Sequence, residues 1–262
     1  MSCAGTMAAR ASPARSAFMK RLKPFRRPFA SILTVCVLAG CQSGQPRIGP
    51  VADPFTELQR GNARFADNKP RHPHHDPRWR HDTAVHGQHP WATVVSCSDS
   101  RVPVEMIFDA GLGDLFVVRV AGNVIEAHES GSVEYAVEHL HTPLVVIIGH
   151  EHCGAVDAVV QGGVGHGDMP HLVDHIKPVV ARLRLEQPNL SKEAQLHAAV
   201  RENAIHSMND LLSRSAIVRE AVAAGTLQVR CGVYDIDTAK IDWIEESPGK
   251  PAPAGPTERV AH

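Results

Sequence analysis

Two short motifs, far apart along the chain, carry side chains that make chemical sense only if folding brings them together: Cys97-Ser98-Asp99-Ser100-Arg101 and His150-Glu151-His152-Cys153. Zn²⁺ favours tetrahedral sulfur and nitrogen ligands, and a site with three protein ligands keeps its fourth position for water or substrate. Cys97, His150 and Cys153 are therefore the expected ligands of one zinc ion per chain. The fold must deliver the ends of two separate segments to a single point.

The residues between the ligands suit catalysis. Two thiolates and a neutral imidazole leave the zinc centre without net charge, so it acidifies bound water less than a three-histidine site would. Asp99 is placed to accept a hydrogen bond from zinc-bound hydroxide, and Arg101 to keep Asp99 ionised and oriented. The alternative is a closed structural knuckle with Asp99 or His152 as fourth ligand. Structural sites draw on paired Cys-x-x-Cys elements and rarely recruit a carboxylate, which favours the catalytic reading.

The surrounding pattern alternates strand and helix. Asp53-Pro54 starts a helix bearing Phe55, Leu58 and Phe65. Ala92 to Ser96 reads as a buried strand ending at Cys97, Pro103 to Asp109 as a short helix, Asp114 to Val120 as a strand and Ser130 to His141 as a helix. Pro143 to Gly149 is a third strand, ending at His150. Gly154 to Gln161, His171 to Leu185 (interrupted by Pro178) and Ser191 to Leu212 read as helices. Leu227 to Asp235 and Lys240 to Ile244 close the domain as strands, the last antiparallel. This predicts an α/β fold, a mostly parallel central sheet with helices on both faces, and such sheets bind ligands at the carboxyl ends of their strands.

Other segments frame that domain, expected over 53–246. Lys20, Arg21, Lys23, Arg26 and Arg27 precede an apolar run from Phe29 to Gly40, an export-signal pattern over 1–40 with translation from Met19. Leu38-Ala39-Gly40-Cys41 resembles the lipobox of bacterial lipoproteins, so Cys41 is the expected lipidation site, 41–52 a lipidated tether and 247–262 a loose tail. The implied location is the periplasmic side of a bacterial membrane, reached by the general or the twin-arginine route, with the lipid as sole membrane attachment. With a formal charge of −1 and no basic cluster in the mature region, nucleic acid is excluded as a partner. Cys231 reads as a buried thiol, and His72, His74 and His75 as part of a solvated loop.

The Cys-x-Asp-x-Arg and His-x-x-Cys motifs, with Asp114 to Arg119, Gly131 to Val137 and Val233 to Ile236, resemble those of the β-class carbonic anhydrases, from about Phe55 to Ile244. The resemblance implies reversible hydration of CO₂ to bicarbonate and a proton, zinc-bound hydroxide attacking the carbon. It also implies a homodimer or a dimer of dimers, with a pocket lined partly by the partner subunit. Gln88, Phe116 and Tyr135 match substrate-pocket positions; read alone, Gln88 is a loop residue and the other two are core. Val94 stands where one branch of the family has a tryptophan, which points to the branch in which water, not Asp99, holds the fourth position. Val120, Ala121 and the Ala239-Lys240 turn depart from the common pattern. Two rivals remain: hydrolysis of CS₂ or COS on the same scaffold, and a non-catalytic zinc-binding lipoprotein holding several labile ions. His139 and His152 are candidate proton relays, each also readable as a structural residue.

Overall fold

The computed structural model describes residues 51–163 and 165–245. The export signal, Cys41, the tail and all of the tether but its last two residues lie outside the described residues. Five strands, β1 (Ala92–Ser96), β2 (Leu115–Arg119), β3 (Leu144–His150), β4 (Gln228–Tyr234) and β5 (Ile241–Ile244), form one sheet in the order β2-β1-β3-β4-β5. The first four are parallel and β5 is antiparallel to β4, as the alternation of elements predicts. Every residue of β1 and β3 is buried, which is why both read as unbroken apolar runs.

Helices cover both faces. On one, Val95, Ile147, Val229 and Val233 pack with Val156, Ile176, Val200 and Met208, from α5 (Gly154–Val160), α6 (Met169–Glu186) and α7 (Lys192–Arg214). On the other, Val94, Val146 and Ile148 meet Leu58, Ile107 and Phe108, from α1 (Pro54–Ala66) and the end of α3 (Val104–Ile107). Gly61 permits the second packing, because a Cβ there would stand 1.9 Å from the Phe108 carbonyl oxygen. Capping sets the helix starts: Asp53 accepts from the Thr56 N–H at 3.1 Å ahead of α1, and Ser191 from the Ala194 N–H at 3.2 Å ahead of α7.

Several boundaries differ from expectation. Helix α2 (Pro77–His86) and helix α8 (Ala216–Ala223) were not anticipated. α2 lacks an apolar stripe, since Trp79 is its one buried residue, although Asp76-Pro77 repeats the Asp-Pro start of α1. Helix α4 runs Ala127–Glu138, starting ahead of the expected Ser130, because the Glu129 carboxylate accepts from the Glu126 N–H at 3.0 Å. Pro178 does not interrupt α6. It lies on the exposed side, as does Asp174, whose carbonyl has no N–H to accept from at Pro178 but faces the side open to solvent. His74 is not solvated loop: its Nδ1 lies 2.8 Å from Asp114 Oδ1 and its ring stacks on Trp79 at 3.9 Å. Cys231 is buried in β4, as expected.

Candidate metal centre

Parallel pairing explains how the two motifs meet. Ser96 of β1 pairs with Ile148 of β3, so Cys97 and His150 emerge side by side at the carboxyl edge of the sheet. β3 then turns sharply: the Glu151 N–H donates to the Tyr234 carbonyl at 2.9 Å, and His152 takes a left-handed conformation with φ 54°. Cys153 lands directly before α5. The ligand atoms of Cys97, His150 and Cys153 lie within 4.8 Å of one another, all three residues are buried, and no other such group exists among the described residues.

The donor set fits zinc. His150 Nδ1 faces the Glu151 carbonyl at 2.9 Å, and since a carbonyl only accepts, that nitrogen carries the ring proton. Nε2 therefore presents a lone pair, yet it is buried without a hydrogen-bond partner. Such an orphan beside two thiols is the arrangement a metal ion satisfies. The Cys97 thiol is pushed down, chiefly by the Cys153 S–H donating to it and next by the adjoining His150 ring, with further help from the Gly122 and Asp99 N–H groups. Cys153 is pushed up by the same pairing and by burial. A dication held there would let both sulfurs stand as thiolates.

Asp99 faces the centre but is held elsewhere. Arg101 grips its carboxylate through Nε at 2.9 Å and Nη2 at 2.7 Å, and the Arg101 N–H adds a third bond at 2.9 Å. These donors keep Asp99 well below the ordinary carboxylate range. Its Oδ2 is 3.9 Å from His150 Nε2. Arg101 also crosses to the second motif, donating to the His152 carbonyl at 3.2 Å.

Three contributors escaped the sequence reading. The Gly122 N–H donates to Cys97 Sγ at 3.3 Å from the 3-10 turn Ala121–Asn123. Gly122 has φ 71°, and a Cβ there would stand 2.9 Å from Ile176 Cδ1, so only glycine serves. Asn203 of α7 donates to the Gly122 carbonyl at 2.8 Å. Arg119, noted only as part of a family pattern, donates to the carbonyls of Cys97 at 3.1 Å and Asp99 at 2.6 Å. The positive φ at Gly122 and the reach of Arg119 belong to tertiary geometry, with no spacing rule to announce them.

Gln88, Phe116 and Tyr135 are not brought to this centre in their own chain. Phe116 pairs with Thr93, four residues ahead of Cys97, or about 13 Å along the strand. Tyr135 sits beside Phe116 with ring centroids 6.0 Å apart, and exposed Gln88 precedes the amino end of β1. His139 is exposed at the end of α4, its ring 5.2 Å from that of Tyr135. His152 lines an open cleft of about 680 Å³ with Glu151, His197 and Asp235.

Known proteins resemble this chain in sequence and fold. A family model described as carbonic anhydrase matches residues 92–241. Carbonic anhydrase 2 of Mycobacterium tuberculosis is 38% identical over 202 residues, covering 74% of this chain and 93% of that protein. A carbonic anhydrase of Mycolicibacterium smegmatis is 36% identical over 201 residues, covering 75% and 94%. Among solved structures, the β-carbonic anhydrase CcaA superposes with a TM-score of 0.59 at 26% identity over 74% of this chain and 93% of that one. The β-carbonic anhydrase CafA of Aspergillus fumigatus gives 0.57 at 29% identity over 75% and 93%. The matched stretch contains the whole Cys-His-Cys group and the strands that position it, and the chain belongs to the carbonic anhydrase family, in its β class.

Proposed function

We propose that this carbonic anhydrase interconverts CO₂ and bicarbonate at the Cys97, His150 and Cys153 centre, with Asp99 and Arg101 governing the reacting water. The observation that carries the reading is a buried, unpartnered His150 Nε2 facing a carboxylate that Arg101 holds to one side. Zinc bound there supplies a Lewis-acidic position that lowers the pKa of water toward neutrality. Ionised Asp99 can only accept hydrogen bonds, so it turns the O–H of the reacting water toward itself and leaves a lone pair for the carbon of CO₂. In the reverse direction the same carboxylate accepts from the hydroxyl of bicarbonate. Arg101 occupies both Asp99 oxygens and so restrains the carboxylate from taking the fourth position itself. His139 and His152 are the candidate groups for passing the proton to buffer.

Gln88, Phe116 and Tyr135 serve the pocket of a second copy in this reading. Phe116 belongs to β2, an edge strand, Tyr135 stands beside it and is 47% exposed, and Gln88 is exposed ahead of β1. Assembly as a homodimer or a dimer of dimers follows; the related enzymes of Sordaria macrospora are described as tetrameric. The basic segment, apolar run and Leu38-Ala39-Gly40-Cys41 support an exported protein held at a bacterial membrane by lipid on Cys41. Loss of palmitate labelling in a Cys41→Ser variant tests that placement.

The deciding experiment is stopped-flow CO₂ hydration on the mature domain, with zinc quantified in the same sample. Fast turnover with one zinc per chain upholds the reading. Full zinc without turnover, from mildly acidic to alkaline pH, overturns it and directs the assay to CS₂ and COS.

A further inference from the structure

We infer that Arg119 is a positioning residue for this reaction: its guanidinium fixes the backbone of the turn that carries both a metal ligand and the carboxylate. The inference rests on the carbonic anhydrase reading above. Arg119 ends β2 and pairs with Ser96, the last residue of β1. There the main-chain ladder runs out. The Val120 N–H reaches the Ser96 carbonyl at 3.1 Å and the Ser98 N–H reaches the Val120 carbonyl at 3.2 Å, after which the turn leaves the sheet with Ser98, Ser100 and Arg101 exposed. Arg119 takes over at that point. Nε donates to the Cys97 carbonyl and Nη2 to the Asp99 carbonyl, so one planar group spans the two residues that matter.

The two arginines have separate tasks. Arg101 fixes the Asp99 side chain against a backbone only two residues away, and it ties that unit to the His152 carbonyl. Within the turn, only the Asp99 N–H to Cys97 Sγ at 3.4 Å links the two residues, and the Val102 N–H shares the Asp99 carbonyl at 3.0 Å. Arg119 braces that spacing from the neighbouring strand. Without Arg119 the Asp99 and Arg101 pair stays intact but swings relative to the metal ligand, carrying the carboxylate out of line with the reacting water. A lysine carries the charge yet offers a point donor in place of a rigid fork, and it bridges the two carbonyls poorly.

The test compares Arg119→Ala and Arg119→Lys with a control, Arg219→Ala. Arg219 also clamps two carbonyls, those of Leu212 at 2.8 Å and Ser213 at 2.7 Å, but at the junction of α7 and α8. For each variant, zinc content, kcat, KM, melting temperature and the visible spectrum of the cobalt-substituted protein are measured. Arg119→Ala is expected to keep zinc and KM while kcat falls about 10- to 100-fold, the range for lost outer-sphere partners. Its cobalt band shifts, and added guanidinium ion restores part of kcat, since the emptied position is open to solvent. Arg219→Ala loses melting temperature without loss of kcat or a spectral shift. The inference is overturned if Arg119→Ala stays within about twofold of the parent in kcat with an unaltered cobalt spectrum. It is equally overturned if kcat losses merely follow melting temperature across all variants. Should Arg119→Ala fail to fold, Arg119→Lys decides: parental kcat and spectrum refute the clamp, and a partial loss of kcat with a shifted band upholds it. A parent that hydrates no CO₂ defeats the functional reading instead, while the cobalt spectra still report on the clamp.

Discussion

The turn after β1 and the turn after β3 deliver ligands to the same point but are held in opposite ways. His150 and Cys153 are 0% and 1% exposed, the Glu151 N–H is tied to the neighbouring strand, and α5 begins at once. Core packing fixes the two ligands of that turn, while His152 between them is exposed and gives its carbonyl to Arg101. Between Cys97 and Val102 the chain is exposed at three of its four intervening residues, and two guanidinium groups hold it. The buried turn gives the metal a rigid seat; the side-chain-held turn carries the group that must face solvent-borne substrate and exchange hydrogen bonds within each turnover. Rigidity is supplied by burial where only coordination is needed, and by charge-assisted bonds where chemistry needs access.

The largest effect should come from breaking the buried turn. His150→Ala is expected to lose zinc and fall to the uncatalysed rate, as metal analysis and stopped flow would read together. Next is Asp99→Asn, which should keep zinc while kcat falls about 100-fold, because an amide offers a donor where an acceptor is required. Undiminished turnover would refute the assigned role. Arg101→Ala should follow with a loss of about 10-fold or more, as Asp99 is freed to take the fourth position. In cobalt-substituted protein this appears as a spectral change most evident at low pH, where hydroxide competes least.

The comparison extends to turns without metal. Asp109 ends the α3 turn with φ 45°, 5% exposed. Burial pushes its carboxyl up, but the Arg71 N–H, the Arg64 guanidinium and the His72 N–H together hold it below the ordinary value. A lowered folded pKa means that stability is present above the unfolded carboxylate value and lost as pH falls through the folded one. Asp109→Asn should therefore cost about 2 kcal/mol in denaturant titrations near neutrality, and the gap to the parent should close in acid. The smallest effect belongs to Ala239, at φ 60° in the β4–β5 turn. Ala239→Gly should gain about 0.5 to 1 kcal/mol by removing left-handed strain. A fall in melting temperature would instead show that the turn is held without cost.

Much of this was legible in the sequence, for identifiable reasons. β1 and β3 announce themselves because strands buried on both faces need unbroken apolar runs, and the ligands because cysteine and histidine stand at the strand ends. α2 was invisible to periodicity, since it buries Trp79 alone, and Pro178 misled because propensity ignores which side of a helix faces water. At the centre the side chains that perform chemistry were readable, whereas those acting through backbone, Arg119, Gly122 and Asn203, were not. A carbonyl clamp needs only a donor of sufficient reach, so it leaves no spacing rule. The left-handed Ala239, in a turn noted as departing from the family pattern, has its compensation in Asn62, whose Nδ2 donates to the Ala239 carbonyl at 2.9 Å.

That asparagine also ties the start of the domain to its end. Asn62 sits in the first helix, and its Oδ1 accepts from the Ile241 N–H, a partner 179 residues later. A nascent chain can pair β1, β2 and β3 and bring the zinc ligands together well before this bond exists. Until β5 emerges, the Asn62 amide, 6% exposed in the finished fold, has no such partner to receive it. The last strand therefore acts as a latch on the first helix, and a chain cut short of Ile241 should carry its metal seat yet fail to close.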